Sequence, residues 1–195
     1  MLLLRHNYLA SMDTFPAFKE WAIVCAALGK GQQSILIRKG GIAEGKLGFQ
    51  FKHEKFFLFP TFFHERIEKT QWQDSQFSFY KGNILEIRYL ASIEWVRFIQ
   101  DNETIVALRE FHILQDSVIQ ERFQSNRRLG VYVALVRVFC LSPPHYIPYE
   151  KKYGGCRSWV QVPTKQHESI LLPVMNDTLH QQRKQLIEEI VNSAC

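Results

Sequence analysis

Cysteines are few in this sequence, and no two of them lie close together along the chain. The 195 residues include only Cys25, Cys140, Cys156 and Cys195, and no C-x-x-C pattern occurs. This scatter argues against a disulfide framework and against a zinc ribbon. Cys25 and Cys140 lie in apolar runs, where cysteine is usually a small buried side chain.

Long apolar runs are also missing. None approaches the roughly 20 residues that a membrane-spanning helix needs, and the three leucines before Arg5 are too few for the core of a signal peptide. We therefore expect a cytoplasmic protein without a membrane span. We interpret residues 1–11 as an N-terminal extension, either disordered or upstream of the true start, because Met12 precedes a better structural beginning.

Acidic residues are fewer than basic ones, although no run of five or six basic residues occurs. The formal net charge is +5, the isoelectric point is about 9.0, and aromatic residues are abundant. This balance favours anionic partners such as nucleic acid or phosphorylated ligands. Many domains carry such a charge without a polyanionic partner, so the charge alone does not decide between these alternatives.

Hydrophobic spacing predicts a single α+β domain over residues 12–195 that ends in a C-terminal helix. We expect an antiparallel or mixed sheet, open or barrel-like, with helices packed on it. The predicted order is a helix from Asp13 to Leu28, strands at 34–38 and 56–59, a hairpin arm within 42–54, a strand at 84–98, helices at 101–111 and 116–123, strands at 131–141 and 158–162 separated by a loop at 142–155, and a helix at 178–194.

The common catalytic motifs are absent. The sequence has no P-loop, no G-x-G-x-x-G, no H-E-x-x-H and no G-x-S-x-G, and it identifies no cofactor. The first local candidate is Arg38-Lys39-Gly40-Gly41, where two cations precede a glycine turn. Such a group suits a phosphate or carboxylate, and its alternative is a solvated hairpin turn.

Two histidine–glutamate pairs flank the apolar strand at 56–59. These are His53-Glu54 and His64-Glu65, and a chain reversal at Pro60 would bring the two histidines together. Histidines with carboxylates bind metals or act as acid and base. The spacing matches no known metal site, so we assign no metal ligands.

A third group joins basic and aromatic residues of the two middle helices and the following strand. Arg109, His112, Arg122 and Arg137 would supply charge for a nucleic-acid backbone, beside tyrosines on which bases stack. The alternative is that these arginines pair with nearby acids.

The last group follows the proline-rich segment. His145 precedes Gly154-Gly155-Cys156-Arg157-Ser158, where the glycines predict a tight turn beside small polar groups. Cys156 as nucleophile with His145 as base would suit a thiol enzyme, whereas a cysteine is more often simply buried.

Several stretches together resemble the uncharacterised bacterial family known as domain of unknown function 1802, frequent in cyanobacteria. They are KEWAIVCAAL, ILIRKGGI, FLFPTFFHE, ALREFHI and YGGCRSWVQV, between Lys19 and Val162. The resemblance implies no established activity. It implies that residues 1–11 and the final helix lie outside the common core.

A shorter segment resembles the G-x-K-x-x-x-x-R pattern of ASCH domains, which are similar to PUA barrels and linked to RNA. Gly31 and Arg38 match, while Gln33 replaces the motif lysine.

Three hypotheses for function follow. The first is a binding module for nucleic acid or another phosphorylated polyanion, which salt-insensitive binding would exclude. The second is a metal-dependent hydrolase or nuclease-like enzyme, which requires the histidine–glutamate pairs to converge in one pocket. The third is an interaction or assembly protein that holds a protein partner on exposed aromatic surface.

Overall fold

The computed structural model describes residues 14–39, 49–61, 70, 78–124, 129–164 and 169–193. Its strands are β1 (Thr14–Trp21), β2 (Ile35–Arg38), β3 (Lys55–Thr61), β4 (Tyr80–Lys81), β5 (Ile84–Ile99), β6 (Val131–Pro148), β7 (Trp159–Pro163) and β8 (Ile170–Pro173). Its helices are α1 (Ala22–Gly29), α2 (Asn102–Ala107), α3 (Asp116–Gln124) and α4 (Asp177–Asn192), with 3₁₀ turns at Leu108–Phe111 and Lys151–Tyr153.

The strands form one mixed sheet. Its order is β2-β6-β5-β3-β1-β7, while β4 adds to β5 and β8 adds to β6. β1 and β3 run parallel, and the other pairs are antiparallel. The predicted α+β class with a mixed sheet is therefore confirmed. Within the described ranges the sheet is open, because β2 and β7 stand at its two ends, so the closed form of the barrel-like alternative is not seen there.

The long antiparallel pair of β5 and β6 is the centre of the sheet. β6 is rich in valine and other β-branched or aromatic residues, which fit a pleated and half-buried surface. α1 packs on the sheet, and its residues from Ala22 to Leu28 are all buried. None of the helices in the described part of the chain is long and apolar enough to cross a membrane.

The first half of the helix predicted from Asp13 to Leu28 is wrong. Residues 14–21 form β1, which pairs with β3 on one side and β7 on the other. Phe18, Trp21 and Cys25 have helical spacing, but tertiary pairing overrides local periodicity in this segment. The partners lie 40 and 141 residues away in sequence, as the pairs Phe18–Leu58 and Phe18–Trp159 show, so no local window contains them.

The predicted loop at 142–155 is wrong up to Pro148, because β6 continues through it. Pro143 and Pro144 lie where the register with β5 shifts, between the pairs Tyr89–Cys140 and Ile87–His145. A bulge tolerates residues that lack an N–H donor.

β8 was not predicted. Of the predicted hairpin arm, residues 49–54 form no strand, and the remainder lies outside the described ranges.

Helix positions in the second half agree better with prediction. Asp101 caps α2, since its carboxylate accepts the Thr104 N–H at 2.7 Å. Asn176 caps α4 in the same way through Leu179, at 2.8 Å. Side-chain oxygens that accept these free N–H groups are the usual signal of a helix start, and this signal is visible in the sequence.

α4 is tied to the sheet by polar contacts. Glu94 on β5 accepts from Lys184 at 2.7 Å and lies 3.4 Å from His180. Arg137 on β6 forms an ion pair with Asp177. These contacts hold α4 on the β5–β6 pair, while β8, which precedes it, pairs with β6 within the sheet.

The close approach of Gly29 to Tyr89 gives a first prediction. A Cβ at position 29 would overlap the ring of Tyr89, so Gly29→Ala should lower the free energy of unfolding by about 1–3 kcal/mol through overpacking. In a Tyr89→Ala background the same change should cost nothing, because the ring is gone and alanine favours a helix. Urea unfolding of the four proteins measures this coupling, and an equal cost in both backgrounds would contradict it.

Candidate functional site

A cavity of about 690 Å³ opens beside the carboxyl ends of β1 and β3. These strands are parallel and pair Trp21 with Thr61, so their last residues lie at the same edge of the sheet. The residues that line it are Lys19, Glu20, Trp21, Arg38, Thr61, Tyr80, Tyr149, Gly154, Gly155 and Cys156. A volume in this range is typical of small-molecule sites.

Arg38, the last residue of β2, reaches across the cavity wall to β1. Its Nη2 donates to the carbonyl oxygen of Lys19, its Nε lies 3.6 Å from Oε2 of Glu20, and its guanidinium lies 4.7 Å from the centre of the Phe18 ring. β2 and β1 are separated by three strands in the sheet order. The contact therefore requires the open sheet to curve strongly, and the curvature creates the cavity.

Glu20 is a buried carboxylate between two arginines. Its side chain is 2% exposed, and it accepts the Trp21 N–H at 2.8 Å. Arg122 of α3 lies behind it, donates to the Ile37 carbonyl at 2.5 Å and covers the Trp21 ring at 5.1 Å. Burial, and secondarily the charge of Arg38, lower the pKa of Arg122 to about 10, although Glu20 opposes this shift. Arg122 therefore remains charged at neutral pH.

Lys19 supplies a second cation on the wall. Its Nζ donates to the Gly155 carbonyl at 2.6 Å, which joins β1 to the glycine turn before β7. Burial lowers the pKa of Lys19, and the charges of Arg157 and Arg38 lower it further, whereas Cys156 acts in the opposite direction. The main cause is loss of solvent around the ammonium group, and the neighbouring cations add to the shift.

The cavity therefore has an excess of positive charge. Among the described residues that line it, Glu20 is the one carboxylate, whereas Lys19, Arg38 and the underlying Arg122 are cations. α1 begins at Ala22 beside the same wall, and the N-terminus of a helix carries partial positive charge. An anion entering the cavity would relieve the repulsion between these cations.

Aromatic rings form much of the remaining wall. Trp21, Tyr80 and Tyr149 are each half-buried and line the cavity. The rings of Tyr80 and Tyr149 lie 5.9 Å apart, and the Tyr80 hydroxyl donates to the Pro60 carbonyl at 3.3 Å. Burial raises the pKa of Tyr80, so it stays a neutral hydroxyl.

Two residues that the sequence placed in separate groups meet here. Arg38 and Cys156 line the same cavity. The main chain of Ser158 also contributes, since its carbonyl accepts the Lys19 N–H at 2.8 Å. Lys39 follows Arg38 but does not line the cavity. The tight turn predicted from the glycines is present, because Gly155 has φ of +80° and no atom within 4 Å of the position of a Cβ.

The predicted histidines that the structure describes do not line this cavity. His53 packs edge-on against Trp159, with ring centres 4.9 Å apart. His145 stacks on Phe57 at 5.7 Å, and its Nε2 lies 3.0 Å from the Pro163 carbonyl. His64 and Glu65 lie outside the described residues. Within the described ranges, no group of three or more histidine, cysteine, aspartate or glutamate residues is placed to hold a metal ion.

Arg109 and Arg122 of the third predicted group lie near His112, whereas Arg137 lies apart from them and pairs with α4. Arg109 pairs with Asp116 at 2.9 Å, Arg137 pairs with Asp177, and Arg122 is partly buried behind Trp21. Arg127 and Arg128, which follow Arg122 in the sequence and were expected to extend this basic group, lie outside the described residues. Of these residues, Arg122 contacts the cavity wall, through the Trp21 ring.

His112 is buried, and its protonation gives a second prediction. Burial, and secondarily Arg109 and Arg122, lower its pKa from 6.5 to about 4, while Asp116 opposes the shift. Between pH 6.5 and about 4, His112 is therefore protonated in the unfolded chain but remains neutral in the folded chain. Stability should fall by about 3 kcal/mol as the pH drops from 6.5 to 4.

Replacing His112 by leucine should remove this part of the acid sensitivity. Urea unfolding of wild type and His112→Leu between pH 7.5 and 4.5 measures the difference in free energy. His53→Leu is the matched control, because it removes a histidine that is only partly buried. A parallel pH profile for wild type and His112→Leu would show that the buried imidazole is not responsible.

Lys19, Glu20, Trp21 and Tyr149 are residues of the site that sequence reasoning did not select. The first three fall within the segment predicted as helix, and Tyr149 falls within the predicted loop. The KEW triplet at 19–21 offers one local signal, since a lysine and a glutamate interrupt an otherwise apolar run from Ala17 to Leu28.

The fold and this cavity define a mixed α+β domain with a cationic, aromatic-walled pocket. The chain belongs to the DUF1802 family, a domain of unknown function, whose model matches residues 17–186. The match extends into α4, so the final helix does not lie entirely outside the common core, contrary to expectation. No curated protein matches the chain.

Similar solved structures come from Zymomonas mobilis. The crystal structure of its ASCH protein covers 75% of this chain and 86% of its own, with 10% identity and a TM-score of 0.46. A tyrosine-to-phenylalanine mutant of the same protein covers 88% of this chain and 95% of its own, again with 10% identity and a TM-score of 0.46.

Proposed function

We propose that this protein binds nucleic acid or another phosphorylated polyanion, and that the cavity beside β1 and β3 is the place where the anion is held. The observation that carries this proposal is the unequal charge of the wall. Glu20 is opposed by Lys19 and Arg38 on the wall and by Arg122 behind it.

Phosphate groups suit this wall for two reasons. A guanidinium presents several donors in a fork that matches phosphate geometry, and Arg38 is anchored by the Lys19 carbonyl and by Glu20. Lys19 adds a point charge that is held in place by Gly155. Because both cations are fixed before the ligand arrives, binding costs little side-chain entropy.

The net charge of +5 favours a ligand that carries more than one phosphate. Arg157 lies near Lys19, since its charge lowers the Lys19 pKa, and it is exposed. A polymer of phosphates could therefore contact the cavity with one unit and the surrounding surface with its neighbours. Such contacts release counterions, so affinity depends steeply on salt.

The test is a titration of purified protein against fluorescein-labelled single-stranded RNA, single-stranded DNA and inorganic polyphosphate. Fluorescence anisotropy is followed at two salt concentrations, one of them about fourfold higher than the other. We expect binding of at least one of these polyanions that weakens at the higher salt and that inorganic phosphate competes away. Binding that is undetectable for all three, or equal at both salt concentrations, would overturn the proposal.

A further inference from the structure

The aromatic part of the cavity wall is larger than the binding of phosphate requires. Trp21, Tyr80 and Tyr149 bring three half-buried rings to the same space as Lys19 and Arg38. A phosphate alone makes no use of a ring face. The wall therefore has a cationic part and an aromatic part. This implies a ligand that carries both an anionic group and a planar ring.

The rings are held in position by their neighbours. Arg122 covers Trp21 at 5.1 Å, and Tyr149 packs against Tyr153 at 6.1 Å and against Tyr80 at 5.9 Å. Rings fixed in this manner lose little freedom when a planar ligand stacks on them. Stacking on aromatic side chains is a sequence-tolerant way to bind nucleobases, because every base has a π-face.

The shape of the site excludes paired bases. The rings line a concave cavity of about 690 Å³, whereas the bases of a duplex are stacked inside the helix and present only their edges in the grooves. A base can enter this cavity only when it is unpaired. At the glycine turn the entrance is not narrowed by a side chain, since Gly155 has none and its surroundings are open.

We propose that the cavity takes one unpaired nucleotide of a single strand, with its base on the aromatic part of the wall and its phosphate at Lys19 and Arg38. This inference rests on the proposed function and narrows it to single-stranded nucleic acid. It assigns Tyr149, together with Trp21 and Tyr80, to base recognition and separates that role from the recognition of charge.

The experiment compares a base-bearing strand with an abasic strand of the same charge, and with a duplex that carries about twice that charge. A labelled single strand of about ten nucleotides, an abasic strand of the same length and a duplex of the same sequence are titrated by anisotropy at one salt concentration. We expect the base-bearing single strand to bind about tenfold to a hundredfold more tightly than the abasic strand. The duplex should bind no better than the abasic strand.

Variants of two tyrosines test the position of the base. Tyr149→Leu should reduce the preference for the base-bearing strand to less than threefold and leave the salt dependence unchanged, whereas Tyr149→Phe should keep the preference. Tyr146→Leu is the matched control, because Tyr146 is exposed on β6 and does not line the cavity. Its preference should equal that of the wild type.

The outcomes separate the two proposals. If abasic and base-bearing strands bind equally and with steep salt dependence, base recognition is overturned while polyanion binding stands. If the duplex binds as tightly as the single strand, the single-strand assignment is likewise overturned. If no strand binds, both proposals fall. All of these outcomes are measured with the wild-type protein and the three oligonucleotides. The inference can therefore be overturned even if the Tyr149→Leu variant fails to fold.

Discussion

Replacing both Lys19 and Arg38 by glutamine is expected to weaken polyanion binding at least a hundredfold. Each side chain would lose a charge-assisted hydrogen bond to phosphate, which is worth about 1.5–3 kcal/mol, so the pair should cost about 3–6 kcal/mol. Glutamine keeps much of the length and polarity of both side chains. Arg38 also pairs with the buried Glu20, so urea unfolding of the double variant must show that it is folded before its affinity is compared.

Salt dependence makes this prediction specific. If both cations neutralise phosphates of a single strand, the double variant should flatten the slope of log K against log salt by about 1.4, from a contribution of about 0.7 per contact. Anisotropy titrations at four salt concentrations measure this slope. A double variant that binds within threefold of the wild type would show that the cavity is not the anion site.

The matched control removes two positive charges from another part of the surface. Arg97 contacts Asn192 and the Trp95 ring, and Lys184 pairs with Glu94, both on the side of the sheet that holds α4. Neither lines the cavity. The Arg97→Gln and Lys184→Gln double variant has the same net charge as the cavity variant, and its affinity should change by less than fivefold.

Replacing Glu20 by glutamine is expected to destabilise the fold by about 3–5 kcal/mol. The carboxylate is buried between Arg38 and Arg122, and removing one partner of a buried ion pair leaves an uncompensated charge. Glutamine can still accept the Trp21 N–H through its side-chain oxygen, so the change isolates the effect of charge. The uncompensated charges would be those of Arg38 and Arg122, which are both partly buried.

Urea unfolding at pH 7 measures the change in free energy. Glu150→Gln provides the control, since Glu150 pairs with Lys152 at 2.8 Å on the exposed surface and exposed pairs contribute at most about 1 kcal/mol. Adding Arg38→Gln to Glu20→Gln should restore part of the lost stability, because it removes one of the two opposed cations. A loss below 1 kcal/mol for Glu20→Gln would mean that the buried charges are compensated in another way.

Much of the fold could be predicted from local patterns. β5 shows the alternation of a half-buried strand, and α2, α3 and α4 start at or next to Asp101, Asp116 and Asn176, whose short polar side chains suit helix starts. These signals act within a few residues. β1 could not be predicted, because its strand character comes from pairing with β3 and β7 rather than from its own spacing.

The cavity was predictable only in part, for the same reason. Arg38 and Cys156 were selected because each stands beside a glycine turn, and the chemistry of such turns is local. Lys19 and Glu20 belong to the site because β1 ends beside β3 and because the sheet curves until β2 approaches β1. Both causes act between distant segments. The aromatic wall was foreseen as a general abundance of rings, but not as Trp21, Tyr80 and Tyr149 together.

The cavity wall is drawn from six separate stretches of chain between Lys19 and Cys156. No short fragment of the protein can therefore contain the whole site, and ligand binding would report on the folding of strands from both ends of this range. By mass action, a ligand present at a hundred times its dissociation constant would stabilise the native state by about 2.7 kcal/mol. The ligand would thus stabilise the association of strands that are far apart in sequence.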